Sequence, residues 1–338
     1  MKRISLLFAS GLILAAAIYA GQKPAIRIGY PSAGTLINGQ VGVVLEKTDI
    51  LDRNGLKGEV TAFEYGPPMQ EAMLSGKLDA VLTSESNVVK LLAKGYPGAC
   101  VASLGVAGRL GLLVSAGSTV KSIADLKGKT VATVFGTSAH TPIVRWLKEA
   151  SLLPGRDVKL INMDGGESRL ALVRGDIDAV MTWDPYVEDM VRKGQAKIVK
   201  QMPMHLAIVM SKEYMKNNPE AAVDFLVSVR ESAYYMVLNK KEVNNWYREL
   251  CRIDTGIIDD ASKENKIYGY AGDLKDVDIS VSSDLAAVME QTNNFLTEEK
   301  LISRKLDMAS VVDREIVKKA DERLKKRKVD LKTVKVIK

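Results

Sequence analysis

A short segment that occurs twice constrains the fold of this chain more than any other feature. Ser75-Gly-Lys-Leu-Asp-Ala-Val81 is matched later in the chain by Arg174-Gly-Asp-Ile-Asp-Ala-Val180. In both copies the glycine predicts the left-handed end of a helix, the aliphatic residue packs beneath it, and the aspartate precedes a buried strand. We therefore expect two similarly wound lobes, and a structural role for Asp79 and Asp178 in them.

Strands and helices alternate over most of the chain, which predicts an α/β fold with mostly parallel sheets. A chain of 338 residues exceeds the usual size of one hydrophobic core, so two domains are expected. After Gln201 the pattern is largely helical, with one short strand at Leu206–Met210. The economical arrangement is that the chain leaves lobe one near Gly105–Arg109, builds lobe two, and returns near Met202–Leu206. The two crossing strands would then form a hinge.

The N terminus has the composition of a secretory signal peptide. Lys2 and Arg3 precede an apolar run from Ile4 to Ala17, and Ala20 suits the position before a cleavage site. The run is shorter than the ~20 apolar residues that span a bilayer, and no cysteine follows it, which argues against a lipoprotein. The expected organisation is a signal peptide (1–20), lobe one (21–106), an inserted lobe two (107–204), the second part of lobe one (205–316) and a basic tail (317–338).

The net charge of +7 lies at the two ends of the chain. Lys2 and Arg3 supply two charges, and residues 317–338 carry ten Lys or Arg against three acidic residues, so the body between them is close to neutral. We expect no nucleic-acid partner. The tail is expected to begin as a helix with Val317 and Leu324 on one side and to continue as an extended segment from Val329. For this tail we favour a solvated, frayed terminus over an edge strand or a contact with anionic lipid.

Two cysteines, Cys100 and Cys251, would reach a compartment that permits disulfides. One bridge and two buried thiols are equally compatible with the sequence. With only His140 and His205 in addition, no metal-ligand spacing is found, so we expect no metal.

Four motifs, in their order along the chain, resemble the periplasmic solute-binding proteins of ABC importers in the nitrate, sulfonate and taurine group, which are related to the thiamine-precursor binders. They are Ile28-Gly-Tyr30, Ala72-Met-Leu-Ser-Gly-Lys-Leu-Asp79, Gly136-Thr-Ser-Ala-His140 and Gly175-Asp-Ile-Asp-Ala-Val-Met-Thr-Trp-Asp-Pro-Tyr186. The resemblance covers residues 25–205. It implies a type II-like periplasmic binding protein fold, a small-molecule solute held between two closing lobes, and a membrane permease as partner. We expect a monomer without a cofactor.

The segment Gly136–Ala139 is the first candidate for the ligand site. It lies between a predicted strand and a predicted helix, where free backbone amides and the helix dipole favour an anion. Thr137 and Ser138 could donate hydroxyl hydrogens, or they could simply cap the helix; the resemblance favours ligand contact. His140 is equally compatible with a ligand donor and a packed bystander.

The other candidates follow predicted strands at the carboxyl edge of a sheet, where α/β proteins hold ligands. In lobe two, Trp183 offers an apolar wall and one donor, with Tyr186 behind it, whereas Asp184 and Pro185 are expected to be structural. Capping is as plausible as binding for Asn87, and Glu85 is an unfavourable neighbour for an anion. The candidates in lobe one are Ser32, Gly34, Tyr65, Ser84 and Asn87.

No catalytic signature is found in the sequence. There is no Gly-x-Ser-x-Gly elbow, no phosphate-binding loop and no Gly-x-Gly-x-x-Gly. We therefore expect a binding protein for a small oxyanion such as an alkanesulfonate, and no enzyme. Two alternatives stay open: a binder of a neutral heterocycle such as a pyrimidine precursor, and an exported hydrolase with dispersed acidic residues.

Overall fold

The computed structural model describes residues 23–270 and 272–337. The predicted signal peptide, residues 1–20, lies outside the described residues. Among the described helices, none combines the length and the apolar character that crossing a membrane would require.

Nine strands in the described part of the chain form the sheets. Their hydrogen-bonded order is β2-β1-β3-β9-β5-β8-β6-β7, and β4 also pairs with β9. The bounds are β1 (Ala25–Pro31), β2 (Lys57–Phe63), β3 (Ala80–Ser84), β4 (Gly98–Ala102), β5 (Val106–Ser115), β6 (Thr130–Thr133), β7 (Lys159–Asn162), β8 (Ala179–Trp183) and β9 (Ala196–Ser211).

Two groups of parallel strands define two lobes. In lobe one β2, β1 and β3 are parallel, and in lobe two β7, β6 and β8 are parallel. Antiparallel pairing joins the groups, because β9 pairs with β3 and β4 of lobe one and with β5 of lobe two, and β5 also pairs with β8. The arrangement is the predicted α/β class, but the sheet is mixed and not mostly parallel: of the eight strand pairings in the described residues, four are parallel and four are antiparallel.

Strand β9 belongs to both lobes. Its residues 196–205 pair with β5, and its residues 206–211 pair with β3 or β4. The return strand is therefore much longer than the predicted Leu206–Met210. Strand β5 begins at Val106, and β9 passes from its pairing with β5 to its pairing with β3 between residues 205 and 206.

Helices cover the sheets and make up most of the C-terminal region. Their bounds are α1 (Leu36–Lys47), α2 (Ile50–Arg53), α3 (Gly66–Leu74), α4 (Glu85–Ala93), α5 (His140–Glu149), α6 (Gly165–Arg174), α7 (Tyr186–Arg192), α8 (Lys212–Asn217), α9 (Pro219–Leu238), α10 (Lys240–Cys251), α11 (Thr255–Ser262), α12 (Ser283–Glu298), α13 (Met308–Val311) and α14 (Glu315–Lys325).

The repeated segment has the predicted structural role in both lobes. Gly76 and Gly175 follow α3 and α6 with φ of +68° and +82°. The carboxylate of Asp79 accepts hydrogen bonds from the backbone and guanidinium of Arg27 in β1. In the same way, Asp178 accepts from the backbone amide of Thr130 in β6 at 2.8 Å. Each aspartate thus ties its own strand to the neighbouring parallel strand.

The prediction of a frayed C-terminal tail is wrong. Helix α14 buries an apolar face that includes Val317 and Leu324, and Arg323 donates to Asp224 of α9 at 2.6 Å. Beyond it, the backbone amide of Asp49 donates to Lys335 and that of Ile337 donates to Lys47. The tail is therefore held on lobe one by this apolar face, by Arg323 and by backbone hydrogen bonds, whereas most of its lysines are exposed.

Both cysteines are free thiols and both are buried. Of the two arrangements that the sequence left open, the structure has the one without a disulfide.

Candidate ligand site between the lobes

A small cavity lies between the lobes at the carboxyl ends of β1, β3 and β8. It leaves about 20 Å³ for the centre of a water molecule, which is room for roughly one water. The lobes are thus closed on one another around it. The lining residues are Pro31, Ala33, Gly34, Thr35, Tyr65, Gly66, Met69, Thr83, Ser84, Asn87, Thr137, Ser138 and Trp183.

Seven of the residues proposed from the sequence meet in this cavity: Gly34, Tyr65, Ser84, Asn87, Thr137, Ser138 and Trp183. The other five lie outside its lining. The Ser32 hydroxyl donates to the Phe63 carbonyl, Ala139 is fully buried, and Tyr186 packs under the Arg169 guanidinium. Gly136 and His140 line a larger neighbouring cavity of about 430 Å³.

Trp183 of lobe two closes directly onto Gly34 of lobe one. The indole is only 4% exposed, and a Cβ built on Gly34 would overlap it. Gly34 also has a φ of +84°, so glycine is required there both for space and for backbone conformation. Asp184, which follows Trp183, is fixed by Arg109, whose Nε donates to the carboxylate at 2.9 Å. That ion pair holds the end of β8 in place, which agrees with the structural role expected for Asp184.

Three buried polar groups that line the cavity have no hydrogen-bond partner among the described residues. They are the Trp183 indole Nε1, the Ser84 hydroxyl and the Thr35 hydroxyl. Leaving a buried donor unsatisfied costs about 1–3 kcal/mol. Because all three belong to one cavity, a solute with several acceptor oxygens would satisfy them together once the cavity widens to admit it.

Four helices begin at the edge of this cavity. The N-cap residues of α1, α3 and α4 are Thr35, Tyr65 and Ser84, all of which line it, and α5 begins two residues after Ser138. Among the described residues, the side chain of the N-cap residue makes no capping hydrogen bond in any of the four helices. A helix N terminus carries a partial positive charge and free amides, although Pro67 and Pro68 leave fewer amides in the first turn of α3. The four helix ends together favour an anion. The sequence predicted only the fourth of these helix ends as a binding feature.

The loop before α5 differs in detail from the sequence prediction. The N-cap is Ala139, so neither Thr137 nor Ser138 caps the helix. The Thr137 hydroxyl donates to the Val134 carbonyl at 2.7 Å, and the Ser138 hydroxyl lies 3.8 Å from the Met204 sulfur. Ser138 is therefore the better donor of the two for a solute.

In lobe one, the capping alternative for Asn87 is also wrong. Helix α4 begins at Glu85 after the N-cap Ser84, so Asn87 lies within the first turn. Its carbonyl oxygen accepts from Gln70 at 3.2 Å, and it lines the cavity.

Glu85 does not line the cavity and so does not face a solute there. It is 5% exposed, and burial raises the pKa of its carboxyl group to about 7, although Lys90 and Arg145 act in the opposite direction. The unfavourable neighbour for an anion that the sequence suggested is therefore turned away from the site.

His140 packs beside the loop as a neutral imidazole. It stacks on Phe135 with the ring centroids 4.5 Å apart, and its Nδ1 accepts a long 3.4 Å hydrogen bond from the Gly136 amide. Burial, together with the nearby Lys90, lowers its pKa to about 4. Of the two roles open from the sequence, these contacts favour the packed bystander.

Several charged contacts join the closed lobes outside the cavity. Lys90 of α4 donates to carbonyl oxygens of the 136–137 loop. On lobe two, Lys148 pairs with Glu299 and Arg192 pairs with Asp260. Both acidic partners lie in the C-terminal helical region, so this region meets lobe two as well as covering lobe one.

No cluster of three or more His, Cys, Asp or Glu side chains with the spacing of a metal site occurs among residues 23–270 and 272–337. The polar groups of the cavity are hydroxyl, amide and indole groups, which suit hydrogen bonding to a solute.

Comparison with known proteins identifies the family. The sequence model of the NMT1/THI5-like family matches residues 53–243, more than half of the chain. The chain belongs to the NMT1/THI5-like family. A protein of Bacillus subtilis named an aliphatic sulfonates-binding protein is 25% identical over 280 residues, which cover 80% of this chain and 81% of that protein. A protein of the same description from Escherichia coli is 30% identical over 210 residues, which cover 59% and 63%.

Solved structures confirm the two-lobed fold of periplasmic binding proteins. The aliphatic sulphonate binding protein SsuA from Escherichia coli has a TM-score of 0.66 at 22% identity, with 86% of this chain and 92% of that chain covered. SsuA from Xanthomonas axonopodis bound to MOPS has a TM-score of 0.68 at 18% identity, with 87% and 99% covered. The desulfurization enzyme DszB shares the fold at 13% identity, with a TM-score of 0.64 and 89% and 99% covered, in a complex with biphenyl-2-sulfinic acid. The fold alone thus does not separate binding proteins from enzymes.

Proposed function

We propose that this chain is an extracytoplasmic solute-binding protein that delivers a small oxyanion of the sulfonate type to the permease of an ABC importer. The proposal rests on the meeting of four helix N termini in one cavity between two lobes. In the same cavity the Trp183 indole and the Ser84 and Thr35 hydroxyls have no hydrogen-bond partner among the described residues. The relatives named as sulfonate-binding proteins support the same class of solute.

The proposed mechanism is capture by closure. The solute's oxygens accept from groups of lobe one, then Trp183 and the loop at Thr137–Ser138 of lobe two close over it. Residues 21–106 with 205–316 would form one lobe and residues 107–204 the other, hinged at β5 and β9. We propose export by a cleaved signal peptide, action as a periplasmic monomer, and binding without chemical conversion.

Tryptophan fluorescence and calorimetry test this function directly. The protein is titrated with ethanesulfonate, taurine, nitrate, sulfate and a neutral aminopyrimidine, each with Trp183→Phe and Trp146→Phe beside the wild type. Trp146 is a matched control because it is also buried in lobe two and does not line the cavity. Loss of one hydrogen bond to a charged solute at about 1.5–3 kcal/mol predicts a 10- to 100-fold weaker sulfonate affinity for Trp183→Phe alone.

The outcome separates the alternatives. Binding of the pyrimidine without any sulfonate would replace the proposed solute by a neutral heterocycle. Equal affinities of the two tryptophan variants for a sulfonate would remove the cavity at Trp183 as its site.

A further inference from the structure

Lys90 crosses from lobe one to the loop that borders the candidate site. Its ammonium group donates to the carbonyl oxygens of Gly136 at 3.1 Å and Thr137 at 2.8 Å. Among the described residues no carboxylate lies within ion-pair distance of it. Two peptide carbonyls of the opposite lobe are thus the nearest groups that stabilise its charge.

The planarity of the peptide bond determines the direction of the Ser138 backbone amide in this loop. In a trans peptide the carbonyl and the following N–H point in opposite directions. The Thr137 carbonyl faces Lys90, so the amide of Ser138, which belongs to the same peptide, faces away from it. Ser138 lines the cavity, whereas the amide of Thr137 is turned back to the Val134 carbonyl.

In the part of the chain that the structure describes, no charged side chain lines the cavity itself. A positive charge held behind a peptide can still act through it, because hydrogen bonds in a chain polarise one another and electrostatic interactions are stronger in a site with little water. Lys90, the Thr137–Ser138 peptide and an oxyanion in the cavity would form such a chain.

We propose that Lys90 is the positioning residue of the site: on closure it fixes the 136–138 loop and transmits its positive charge through the Thr137–Ser138 peptide to the bound anion. The inference rests on the proposed function, since it requires an anionic solute. It also couples closure to solute charge, because Lys90 on lobe one meets its carbonyl partners on lobe two only when the lobes are together.

The charged and titratable groups that act on Lys90 are Glu85 and Lys94 on its own helix and His140 on α5, and Arg145 of α5 acts on Glu85. Burial lowers the pKa of Lys90 to about 8; Glu85 acts against this shift and Lys94 adds to it. Lys90 is therefore charged below pH 8 and loses its proton as the pH rises through 8. A sulfonate stays ionised throughout this range, so a fall in affinity above pH 8 would come from the protein.

Calorimetry with ethanesulfonate between pH 7.5 and 9.5 tests the proposal on the wild type, Lys90→Met, Lys90→Arg and Lys94→Met. Lys94 is the matched control because it lies one turn further along and lines the same larger cavity as Lys90. We expect Lys90→Met to bind about 10- to 100-fold more weakly than the wild type at pH 7.5, and its affinity not to change with pH. Lys94→Met should retain the decline above pH 8, and Lys90→Arg should recover much of the affinity without that decline.

The measurements distinguish failure of the proposed function from failure of the inference about Lys90. If the wild type binds no sulfonate, the proposed function falls. If the wild type binds and Lys90→Met equals Lys94→Met at every pH, the inference about Lys90 is overturned. Should Lys90→Met fail to fold, an affinity of Lys90→Arg that still falls above pH 8 as in the wild type would overturn it equally.

Discussion

The contact between Gly34 and Trp183 makes one substitution a direct test of lobe closure. In Gly34→Ala, the added methyl carbon would lie 1.6 Å from the Trp183 indole nitrogen and 2.2 Å from two of its ring carbons. Ordinary contact between such atoms requires about 3.5–4.0 Å, so the two surfaces must separate by roughly 2 Å. Trp183 is enclosed in the main hydrophobic core, which leaves opening of the lobes as the relief.

The expected magnitudes differ for folding and for binding. Alanine at the φ of +84° found for Gly34 costs about 1–2 kcal/mol in the folded state. Lobes that cannot close also lose the solute contacts of lobe two, and two hydrogen bonds to a charged group amount to about 3 kcal/mol or more. We therefore expect a modest loss of stability and at least a 100-fold loss of affinity.

Gly155→Ala is the matched control. Gly155 has a φ of +83° and open space where a Cβ would lie, so it carries the same backbone strain without the overlap. Solution scattering at saturating ethanesulfonate should show contraction for the wild type and Gly155→Ala but not for Gly34→Ala. Calorimetry and thermal unfolding of all three complete the comparison. Contraction and affinity in Gly34→Ala equal to those of Gly155→Ala would refute the closed contact as the bound geometry.

Two further predictions concern buried titratable groups. Burial raises the pKa of Glu85 to about 7, so the folded state holds an extra proton and the free energy of unfolding falls as the pH rises from about 4.5 to 7. In urea unfolding, Glu85→Gln should lack this decline and should be more stable than the wild type at pH 8 by about 3 kcal/mol. The control variant Glu71→Gln, at an exposed position, should match the wild type. Burial raises the pKa values of Cys100 to about 12 and Cys251 to about 11, so neither thiol of the folded protein should react with an alkylating reagent at pH 8. After unfolding in the absence of reductant, both thiols should react. If no thiol reacts after unfolding, the two cysteines form a disulfide.

Strands with local boundary signals were predictable from the sequence. The alternation of apolar residues predicts strands at Thr130–Val134 and Asp178–Thr182, and these bounds agree within one residue with β6 and β8. Their glycines and aspartates mark the boundaries within the segment itself, so no knowledge of distant contacts is needed.

The first half of helix α1 could not be predicted from local signals of this kind. The residue pattern predicts a helix only near Gly42–Lys47, whereas the observed helix begins six residues earlier, at Leu36. Ten of its twelve residues are buried, so it lacks the polar face that makes a helix visible as a periodic pattern. The N-cap Thr35 was missed as a site residue for that reason, although a threonine before an apolar run was a usable signal.

The sequence does not indicate which residues of a loop face the cavity. Ser32 and Gly34 lie two residues apart, yet one bonds back to Phe63 and the other meets Trp183 in the cavity. Likewise, the basic tail finds partners such as Asp224 and Asp49 that are far away in the chain. Both outcomes depend on tertiary contacts that composition and spacing do not encode.

The division of the site between the lobes gives a physical reason for release as well as capture. Three of the four helix N termini belong to lobe one, whereas Trp183, Ser138 and the loop that Lys90 binds belong to lobe two. An arginine of lobe one inside the cavity would stay beside the anion after the lobes separate. Helix dipoles act only within about one turn, and the Lys90 contact exists only across the closed interface. Separation of the lobes by a permease would therefore remove the indole donor, the loop amide and the transmitted charge together, and leave the anion held by lobe one alone.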